Sequence, residues 1–450
     1  MMDIKFIREN SGEIKKTIKN KGIHLDLEKL LELDKKRVLS LQYIEELNAE
    51  KNKLNDLIQK AETEERKILI EQGKAVKEKL ADTEPEYNKI KSELDQLMAQ
   101  VPNVVSADTP IGKSDEDNVE IGKFGKIPEL DFPIKDHIQI GKYLDILDLE
   151  KGAKVAGYRG YYVKNEGVSL MMALMMYALN KMIEKGYTPM IPPTLVKGDA
   201  LFGTGYFKGI QYNPEVDEIY EVASGDKDEI GPPSQGFGEV NKSNKEKKFL
   251  VGTAEPSLLA YYGDEVLKEE QLPIKVCGYS QCYRSEIGSY GKDTRGFYRV
   301  HEFMKVEQVV LMEADGEASN KMQDDMLSIS KEIHDELGLP YRVLQICTGD
   351  MSVGKHRMFD VEAWMPGLNR WGETSSASNF TDWQARRLNV KYVDKNGEKK
   401  FVYMLNNTVL PSPRPFIAIL ENYQQADGSV KIPEVLQKYM PGGIKNINKK

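Results

Sequence analysis

The sequence predicts an α+β protein in which an N-terminal antiparallel helical hairpin precedes a domain built on an antiparallel β-sheet. Two observations lead to this prediction. Residues 27–101 are highly charged and carry apolar residues at heptad-like spacing, which is typical of long paired helices. After residue 101, strand-like runs alternate with helical stretches without a regular βαβ rhythm, which favours an antiparallel sheet.

The helical hairpin is predicted from two apolar seams separated by a polar run. The first seam runs from Leu30 to Ile58, its phase is lost over residues 61–66, and the second runs from Ile68 to Val101. Antiparallel packing would bury each seam against the other, and about 35 residues at ~1.5 Å rise give a length of roughly 50 Å. A dimerising coiled coil is the alternative. Pro85 removes one backbone hydrogen bond, so we expect a kink in the second helix.

A proline-punctuated stretch, VPNVVSADTPIG, follows the second seam and marks a linker. We therefore expect an N-terminal domain over residues 1–106, with the hairpin at about 27–101, and a second domain over residues 107–450. A polar, Gly- and Pro-rich stretch at about 224–247 is expected to be a surface insertion. The helix predicted over Ser169–Lys185 is rich in methionine, which we expect to fill the core or a subunit contact.

The composition excludes several classes of protein. The chain has 450 residues, of which 40% are hydrophobic and 30% charged, as in a folded protein. No run of about 18 uncharged apolar residues occurs, and MMDIKFIREN lacks an apolar segment, so we expect a cytoplasmic protein with no membrane partner. Three cysteines are too few for a disulfide framework. No second cysteine pair accompanies Cys277 and Cys282, so we expect no zinc.

The charge pattern leaves the interaction with nucleic acid open. A formal net charge of −8 argues against indiscriminate binding but permits a local basic surface. Once the hairpin folds, its basic residues either gather into a stripe suited to RNA or stay evenly solvated, and the sequence favours neither arrangement. These residues are Lys35, Lys36, Arg37, Lys51, Lys53, Lys74, Lys77 and Lys79.

The segment CYRSEIGSYGKDTRGFYRVHEFMKVEQ carries the strongest candidate for a ligand site. Two strand-like runs flank a polar, Gly-rich loop, as in an antiparallel hairpin with a long connection. Strand geometry has a period of two, so alternate residues should share a face of each run. One such set is Arg299, His301, Phe303, Lys305 and Glu307, and the other is Arg284 and Glu286.

This charged face indicates a nucleotide. Burying unpaired charges is costly, so the face predicts a charged, flat ligand rather than ordinary core. Guanidinium groups suit phosphate oxygens and an aromatic ring can stack on adenine, which favours ATP. A solvent-exposed charged hairpin is the alternative. A second candidate, GDMSVGK at Gly349–Lys355, has the spacing of a P-loop, but His356 replaces the Ser or Thr that would hold magnesium, so we reject it.

Several segments resemble the class II aminoacyl-tRNA synthetases. The hairpin resembles their second signature motif, GYTPMIPP the first and LENYQQADG the third, while RSEIGSYGKDTRG with RVHEF points to the seryl family. LVGTAEPSLLA, GETSSASN and CTGDM resemble further segments of that family. The matches run in family order from the helical hairpin to Met440, so the resemblance covers nearly the whole chain.

The resemblance implies a serine–tRNA ligase activity with ATP as substrate and Mg²⁺ as cofactor. L-serine would be activated to seryl-adenylate and then transferred to tRNA(Ser), which the helical arm would bind. Whether tRNA(Sec) is also a substrate stays open. It also implies a homodimer. A relative that loads a carrier protein and a non-catalytic binding module are alternatives. The long arm argues against the first, and the retained Arg284, Glu373 and Arg414 argue against the second.

The same resemblance assigns roles to individual residues. Arg284 would contact the α-phosphate, and Arg299 and Arg414 the β,γ-phosphates, as catalytic residues together with Glu373. Phe303 would stack on adenine and Glu286 would meet its amino edge. Val300 completes the ATP-binding set, and Glu373 and Ser376 would hold Mg²⁺. The implied serine-binding residues are Thr253, Glu255, Arg284, Glu307, Asn406 and Thr408.

Elementary chemistry agrees with this set. A substrate carboxylate with a pKa of about 3.5 is already ionised, so no general base is needed. The protein must align and neutralise the phosphates, which arginines and Mg²⁺ can do. Thr408 can hydrogen-bond a hydroxyl that alanine and glycine lack. The chain departs from the family at Gly372, where Arg is frequent, and in PSPRP, which replaces a run of small residues before Arg414.

Overall fold

The N-terminal helices form the hairpin that the sequence predicts. Helices α1 (Ile4–Glu9) and α2 (Ser11–Asn20) precede α3 (Leu27–Lys60) and α4 (Thr63–Met98). Leu47 and Leu54 of α3 are buried against Val76 and Leu80 of α4, so the two seams cover each other as expected. Helix α4 continues through Pro85, and the kink there stays a prediction.

The structure, a computed structural model, describes residues 1–223, 247–287 and 296–449. Residues 2–18 and 23–101 form one compact unit, and Met1, residues 19–22 and residues 102–450 form the other. The insertion predicted at 224–247 lies outside the described residues except for its last residue. Within the described ranges, none of the helices combines the length and apolarity needed to cross a bilayer.

The second unit contains further helices and all the strands of the described residues. Its helices are α5 (His137–Tyr143), α6 (Leu149–Ala156), α7 (Asn165–Glu184), α8 (Gly198–Thr204), α9 (Glu255–Ala260), α10 (Gly316–Glu336), α11 (Trp383–Leu388), α12 (Pro413–Asn422) and α13 (Glu434–Gln437). Its strands are β1 (Val119–Phe124), β2 (Leu147–Asp148), β3 (Tyr162–Val163), β4 (Thr188–Met190), β5 (Leu195–Lys197), β6 (Tyr220–Val222), β7 (Lys248–Leu250), β8 (Val266–Lys268), β9 (Ile274–Tyr283), β10 (Glu302–Met312), β11 (Tyr341–Gln345), β12 (Arg357–Met365), β13 (Arg370–Asn379), β14 (Lys391–Val393), β15 (Lys399–Phe401), β16 (Tyr403–Pro411), β17 (Val430–Lys431) and β18 (Asn446–Ile447).

An eight-stranded sheet with the order β1-β11-β12-β13-β16-β10-β9-β4 organises this unit. Neighbouring strands are antiparallel except for the pair β4 and β9, which is parallel. The prediction of an α+β fold on an antiparallel sheet is therefore confirmed. Strands β13, β16 and β10 are neighbours in this sheet, and they carry six of the residues predicted to bind substrates, namely Phe303, Glu307, Glu373, Ser376, Asn406 and Thr408.

Helix α7 divides its methionines between two environments. Met171, Met175 and Met182 are buried in the main core beside the sheet. Met172 and Met176 are 40% and 42% exposed on the opposite face. Core filling is thus observed for three methionines, and a subunit contact through the exposed ones stays a prediction.

Candidate active site

The central hairpin is shorter than the sequence suggests. Strand β9 ends at Tyr283 and β10 begins at Glu302, so the prediction that Arg299 and His301 share a strand face with Phe303 is wrong. Arg284 and Glu286 likewise follow β9 instead of lying on it. Glu286 adopts a left-handed backbone, with φ of 56°, which cannot continue an extended strand. Period-two geometry holds for Phe303, Lys305 and Glu307 alone.

All but one of the predicted site residues line two cavities of the second unit, and the exception is Thr253. The larger cavity has a volume of about 590 Å³ and the smaller about 60 Å³. The larger is lined by Glu255, Arg284, Glu307, Glu373, Ser376, Asn406 and Thr408. The smaller is lined by Arg284, Glu286, Arg299, Val300, Phe303, Glu373, Thr408 and Arg414.

The two cavities share a wall. Arg284, Lys305, Glu373 and Thr408 line both of them. Arg284 follows β9, Lys305 lies on β10, Glu373 on β13 and Thr408 on β16, so the wall spans the centre of the sheet. The two cavities are therefore adjacent, with these four side chains reachable from both.

A buried carboxylate, Glu307, collects hydrogen bonds at the base of the larger cavity. Its Oε2 accepts from Thr253 Oγ1 at 3.1 Å and from Thr408 Oγ1 at 3.3 Å. Lys305 Nζ lies 2.5 Å from the same oxygen and also donates to Thr408 Oγ1 at 3.1 Å. Thr253, although it lines neither cavity, thus acts on the site through Glu307. The cluster offers a carboxylate and a hydroxyl to a small polar ligand.

A second buried carboxylate, Glu255, also lines the larger cavity. Gln384 Nε2 donates to its Oε1 at 2.7 Å, and the Tyr206 hydroxyl donates to its Oε2 at 3.1 Å. Burial raises the pKa of Glu255, and the hydrogen bonds from Gln384 and Asn406 oppose that rise. With Glu307, this residue gives the cavity two acidic groups suited to an ammonium ion.

The smaller cavity has an aromatic floor and paired charges. The Arg284 guanidinium lies 5.4 Å from the centre of the Phe303 ring. Arg299 Nη1 donates to Glu286 Oε2 at 2.8 Å, and Arg159 Nη1 lies 3.6 Å from the same oxygen. The carboxylate predicted to meet an adenine amino group is therefore held between two guanidinium groups.

Arg414 joins this cavity from the start of α12. Its Nη1 donates to the Glu373 carbonyl oxygen and to Glu373 Oε2, both at 2.9 Å. Its guanidinium also lies 4.7 Å from the centre of the Tyr298 ring, and Arg370 lies 4.2 Å from the same ring. A Cβ on Gly372 would come within 2.9 Å of Tyr298, so the glycine departure leaves room for this aromatic ring.

The residues predicted to hold Mg²⁺ form an oxygen-rich group. Partial burial raises the pKa of Glu373, but Arg414, Arg284 and Lys355 together outweigh that effect and hold the pKa below its usual value. Asp360, which pairs with Ser376 across β12 and β13, has a buried Oδ1 atom that accepts no hydrogen bond from any residue that the structure describes. Burial and the nearby Glu373 raise the pKa of Asp360. Carboxylate and hydroxyl oxygens are the ligands that Mg²⁺ prefers, so these residues fit that ion.

Comparison with known proteins gives the same family for both units. The family model described as the seryl-tRNA synthetase N-terminal domain matches residues 1–105, and that of the class II core domain of the G, H, P, S and T synthetases matches residues 239–423. A serine–tRNA ligase of Treponema denticola is 41% identical over 444 residues, which are 98% of each chain. This chain belongs to the seryl-tRNA synthetase family.

Two solved structures extend the comparison with the seryl-tRNA synthetases. That of Pyrococcus horikoshii, complexed with ATP, matches with a TM-score of 0.85 and 34% identity and covers 100% of both chains. A cytoplasmic serine–tRNA ligase of Naegleria fowleri, in complex with AMP, has a TM-score of 0.82 and 30% identity and covers 100% of this chain and 99% of its own. The predictions of a class II fold and of an ATP-dependent serine–tRNA ligase are confirmed.

The sequence did not identify every residue of this synthetase site. Lys305 was placed on the right strand face but given no role. Lys355 lines the larger cavity, although the P-loop interpretation of its segment is excluded because β11 and β12, which flank it, pair antiparallel. Tyr206 and Gln384 reach Glu255 from distant parts of the chain, and no local pattern marks them. The individual roles of all these residues remain predictions.

Proposed function

We propose that this chain activates L-serine with ATP to form seryl-adenylate and pyrophosphate, and then transfers serine to the 3′ end of tRNA(Ser). The observation that carries the proposal is the shared wall of the two cavities. The smaller cavity offers an aromatic ring and arginines to a nucleotide, and the larger offers Glu307 and Thr408 to a small hydroxylated amino acid. The reacting atoms, a carboxylate oxygen and the α-phosphorus, would meet where Arg284 reaches both.

The first step needs alignment and charge compensation. The serine ammonium group is held by Glu307 and Glu255, and the serine hydroxyl meets Thr408, which leaves the carboxylate directed to the wall. The carboxylate oxygen attacks the α-phosphorus, the bond to the bridging oxygen breaks, and pyrophosphate leaves. Arg284 faces the negative charge that develops on the α-phosphate, and such fixed donors contribute most where the charge develops.

The triphosphate end is assigned to the two remaining arginines. Arg299 and Arg414 line the smaller cavity and would face the β- and γ-phosphates. The Glu286 carboxylate accepts a hydrogen bond from Arg299. To bind adenine, that carboxylate would have to give up this bond and accept one from the adenine amino group. Glu373 and Ser376 would hold Mg²⁺, with Asp360 beside them, and the ion would neutralise phosphate charge.

The second step also needs bound tRNA, which we assign to the helical arm. We assign residues 1–106 to tRNA binding and residues 107–450 to aminoacylation. Lys36 and Lys74 of the arm pair with acids one turn away, Glu32 at 2.7 Å and Glu71 at 3.3 Å. Exposed pairs of this kind stabilise a helix very little, so phosphates of an RNA can displace the acids at little cost. The same charging assay, with tRNA(Sec) in place of tRNA(Ser), tests whether tRNA(Sec) is also a substrate.

A homodimer is the proposed assembly. On α7 the exposed face carries Val168, Met172, Met176 and Ile183, which are 40–46% exposed, and Ile191 beyond it is 84% exposed. A row of large apolar side chains on one helix is unusual for a surface that faces only water. We place the protein in the cytoplasm, where ATP, serine and tRNA are available.

The decisive test is an amino-acid panel in ATP–pyrophosphate exchange. We expect exchange with serine, at least 10⁴-fold weaker exchange with alanine and glycine because Thr408 loses its hydroxyl partner, and charging of tRNA(Ser) transcripts. Exchange with another amino acid would reject the assignment of the larger cavity. Exchange with serine but loading of a carrier protein in place of tRNA would reject the second step alone.

A further inference from the structure

A buried histidine and glutamate lie outside both cavities yet connect the segments that bound the smaller one. His137, the first residue of α5, and Glu421, near the end of α12, are both fully buried. The His137 backbone N–H donates to Glu421 Oε1 at 2.9 Å, and His137 Nδ1 lies 3.0 Å from the same oxygen. Neither residue can contact a substrate.

The other ring nitrogen of His137 contacts residues 296–301, which lead into β10 and are called the return segment below. The Phe297 backbone N–H lies 3.1 Å from His137 Nε2. Because an N–H group can only donate, Nε2 must accept, so the ring proton lies on Nδ1 and is donated to Glu421. The backbone fits the ring closely, since a Cβ on Gly296 would lie 2.3 Å from Nε2, and Gly296 has a φ of +77°.

The other carboxylate oxygen of Glu421 is also fully used. Its Oε2 accepts from the backbone N–H groups of Gly367 at 2.9 Å and Leu368 at 3.3 Å. The Phe297 ring in turn meets the Phe416 ring of α12, with centres 5.8 Å apart. Thus α12 and the return segment are joined twice, once through the ring pair and once through the histidine.

Both joints meet the return segment at Phe297, close to Arg299, whereas on α12 the ring pair lies close to Arg414 and the histidine joint lies at Glu421, seven residues after Arg414. Arg299 follows Phe297 by two positions, and Arg414 precedes Phe416 by two. We infer that His137 and Glu421 are positioning residues that fix the spacing of Arg299 and Arg414, and so set the affinity for the triphosphate end of ATP. The inference rests on the proposed function, because it assumes that ATP occupies the smaller cavity.

Two conservative variants separate the two bonds of the histidine. His137→Asn places an amide where Nδ1 was and can keep the bond to Glu421, but its side chain is too short to accept from Phe297. His137→Gln places an amide oxygen near the Nε2 position and can keep the bond from Phe297. Leu267→Ala, which removes a buried side chain in a separate core cluster, is the control for loss of stability alone.

The experiment measures KM for ATP and for serine in pyrophosphate exchange, with urea unfolding of each full-length variant. We expect His137→Asn to raise KM for ATP at least 10-fold with KM for serine changed less than 2-fold. His137→Gln and Leu267→Ala should change KM for ATP less than 3-fold. Equal effects of the Asn and Gln variants, an unchanged KM in the Asn variant, or a 10-fold rise in the control would overturn the inference.

A second variant keeps the test decisive if His137→Asn does not fold. Glu421→Gln keeps an acceptor for His137 but turns an amide NH₂ towards the N–H groups of Gly367 and Leu368. The bonds to His137 survive in this variant, so KM for ATP should rise less than 3-fold although stability falls. Glu421→Ala removes the acceptor that holds the His137 ring, so it should raise KM for ATP at least 10-fold. An unchanged KM in Glu421→Ala, or equal effects of the two Glu421 variants, would overturn the inference. Absence of serine-dependent exchange in the wild type would instead reject the proposed function itself.

Discussion

The ion pair of Lys305 and Glu307 allows a quantitative prediction. The side chains are 5% and 4% exposed, and Nζ lies 2.5 Å from Oε2. At an effective dielectric constant of about 20, the attraction between two unit charges at this distance is roughly 6–7 kcal/mol, and desolvation of both groups offsets much of it. Lys305→Met leaves Glu307 buried without a cation, which should lower the free energy of unfolding by about 3–5 kcal/mol.

A double-mutant cycle isolates the pair. The double variant Lys305→Met, Glu307→Gln removes both charges together, so it should be more stable than Lys305→Met alone, with a coupling energy of about 2–3 kcal/mol. Urea unfolding at one fixed chain concentration measures each variant. Because the pair is buried, the coupling should survive 1 M salt. Additive effects within about 0.5 kcal/mol would refute the reasoning.

The same variants test serine recognition. Glu307→Gln removes a charge-assisted hydrogen bond to the substrate ammonium, worth about 1.5–3 kcal/mol, so kcat/KM for serine should fall about 10- to 100-fold or more. The double variant should therefore regain stability without regaining exchange. Recovery of exchange along with stability would show that Glu307 acts only in folding.

Three further predictions concern the arginine, the arm, and a buried histidine. Arg284→Ala should lower serine-dependent pyrophosphate exchange at least 10²-fold, because it removes the donor at the shared wall, and unchanged exchange would reject that role. Deletion of residues 45–80, whose ends lie beside each other in the hairpin, should spare exchange and abolish tRNA charging, whereas loss of both activities would contradict the division of labour. Burial lowers the pKa of His334 from 6.5 to about 4 in the folded state. As the pH falls, the unfolded state therefore takes up this proton at a higher pH than the folded state does, and the folded state loses stability. Between pH 6.5 and 4.5 the wild type should lose about 2 kcal/mol more stability than His334→Gln, measured by urea unfolding, and parallel curves would refute this.

The helical hairpin was predictable because its signal is local. Each seam repeats within one helix, and burial of Leu47, Leu54, Val76 and Leu80 follows directly from that repeat. The end of β9 was not predictable in the same way. Glu286 takes a left-handed backbone, and its carboxylate bonds to Arg299, so a tertiary contact overrides the strand pattern there.

The candidate site shows the same limit. The family motifs in the sequence pointed to the residues that line both cavities, because most of these residues lie within or beside segments with a distinctive sequence. Gln384 and Tyr206 could not be found, because they approach Glu255 from helix α11 and from the end of α8, far away in sequence. The pairing of His137 with Glu421 spans most of the second unit and has no sequence signal either.

The ring of Tyr298 lies close to two guanidinium groups and to Gly372, and this arrangement constrains which residues position 372 can accept. An arginine at position 372 would need the volume that Met365 and Tyr298 fill, and it would add a third positive charge near Arg370 and Arg414. Changing the glycine alone should therefore be deleterious. Positions 298, 370 and 372 are expected to be inherited as a set, so a chimera between family members should exchange all three together.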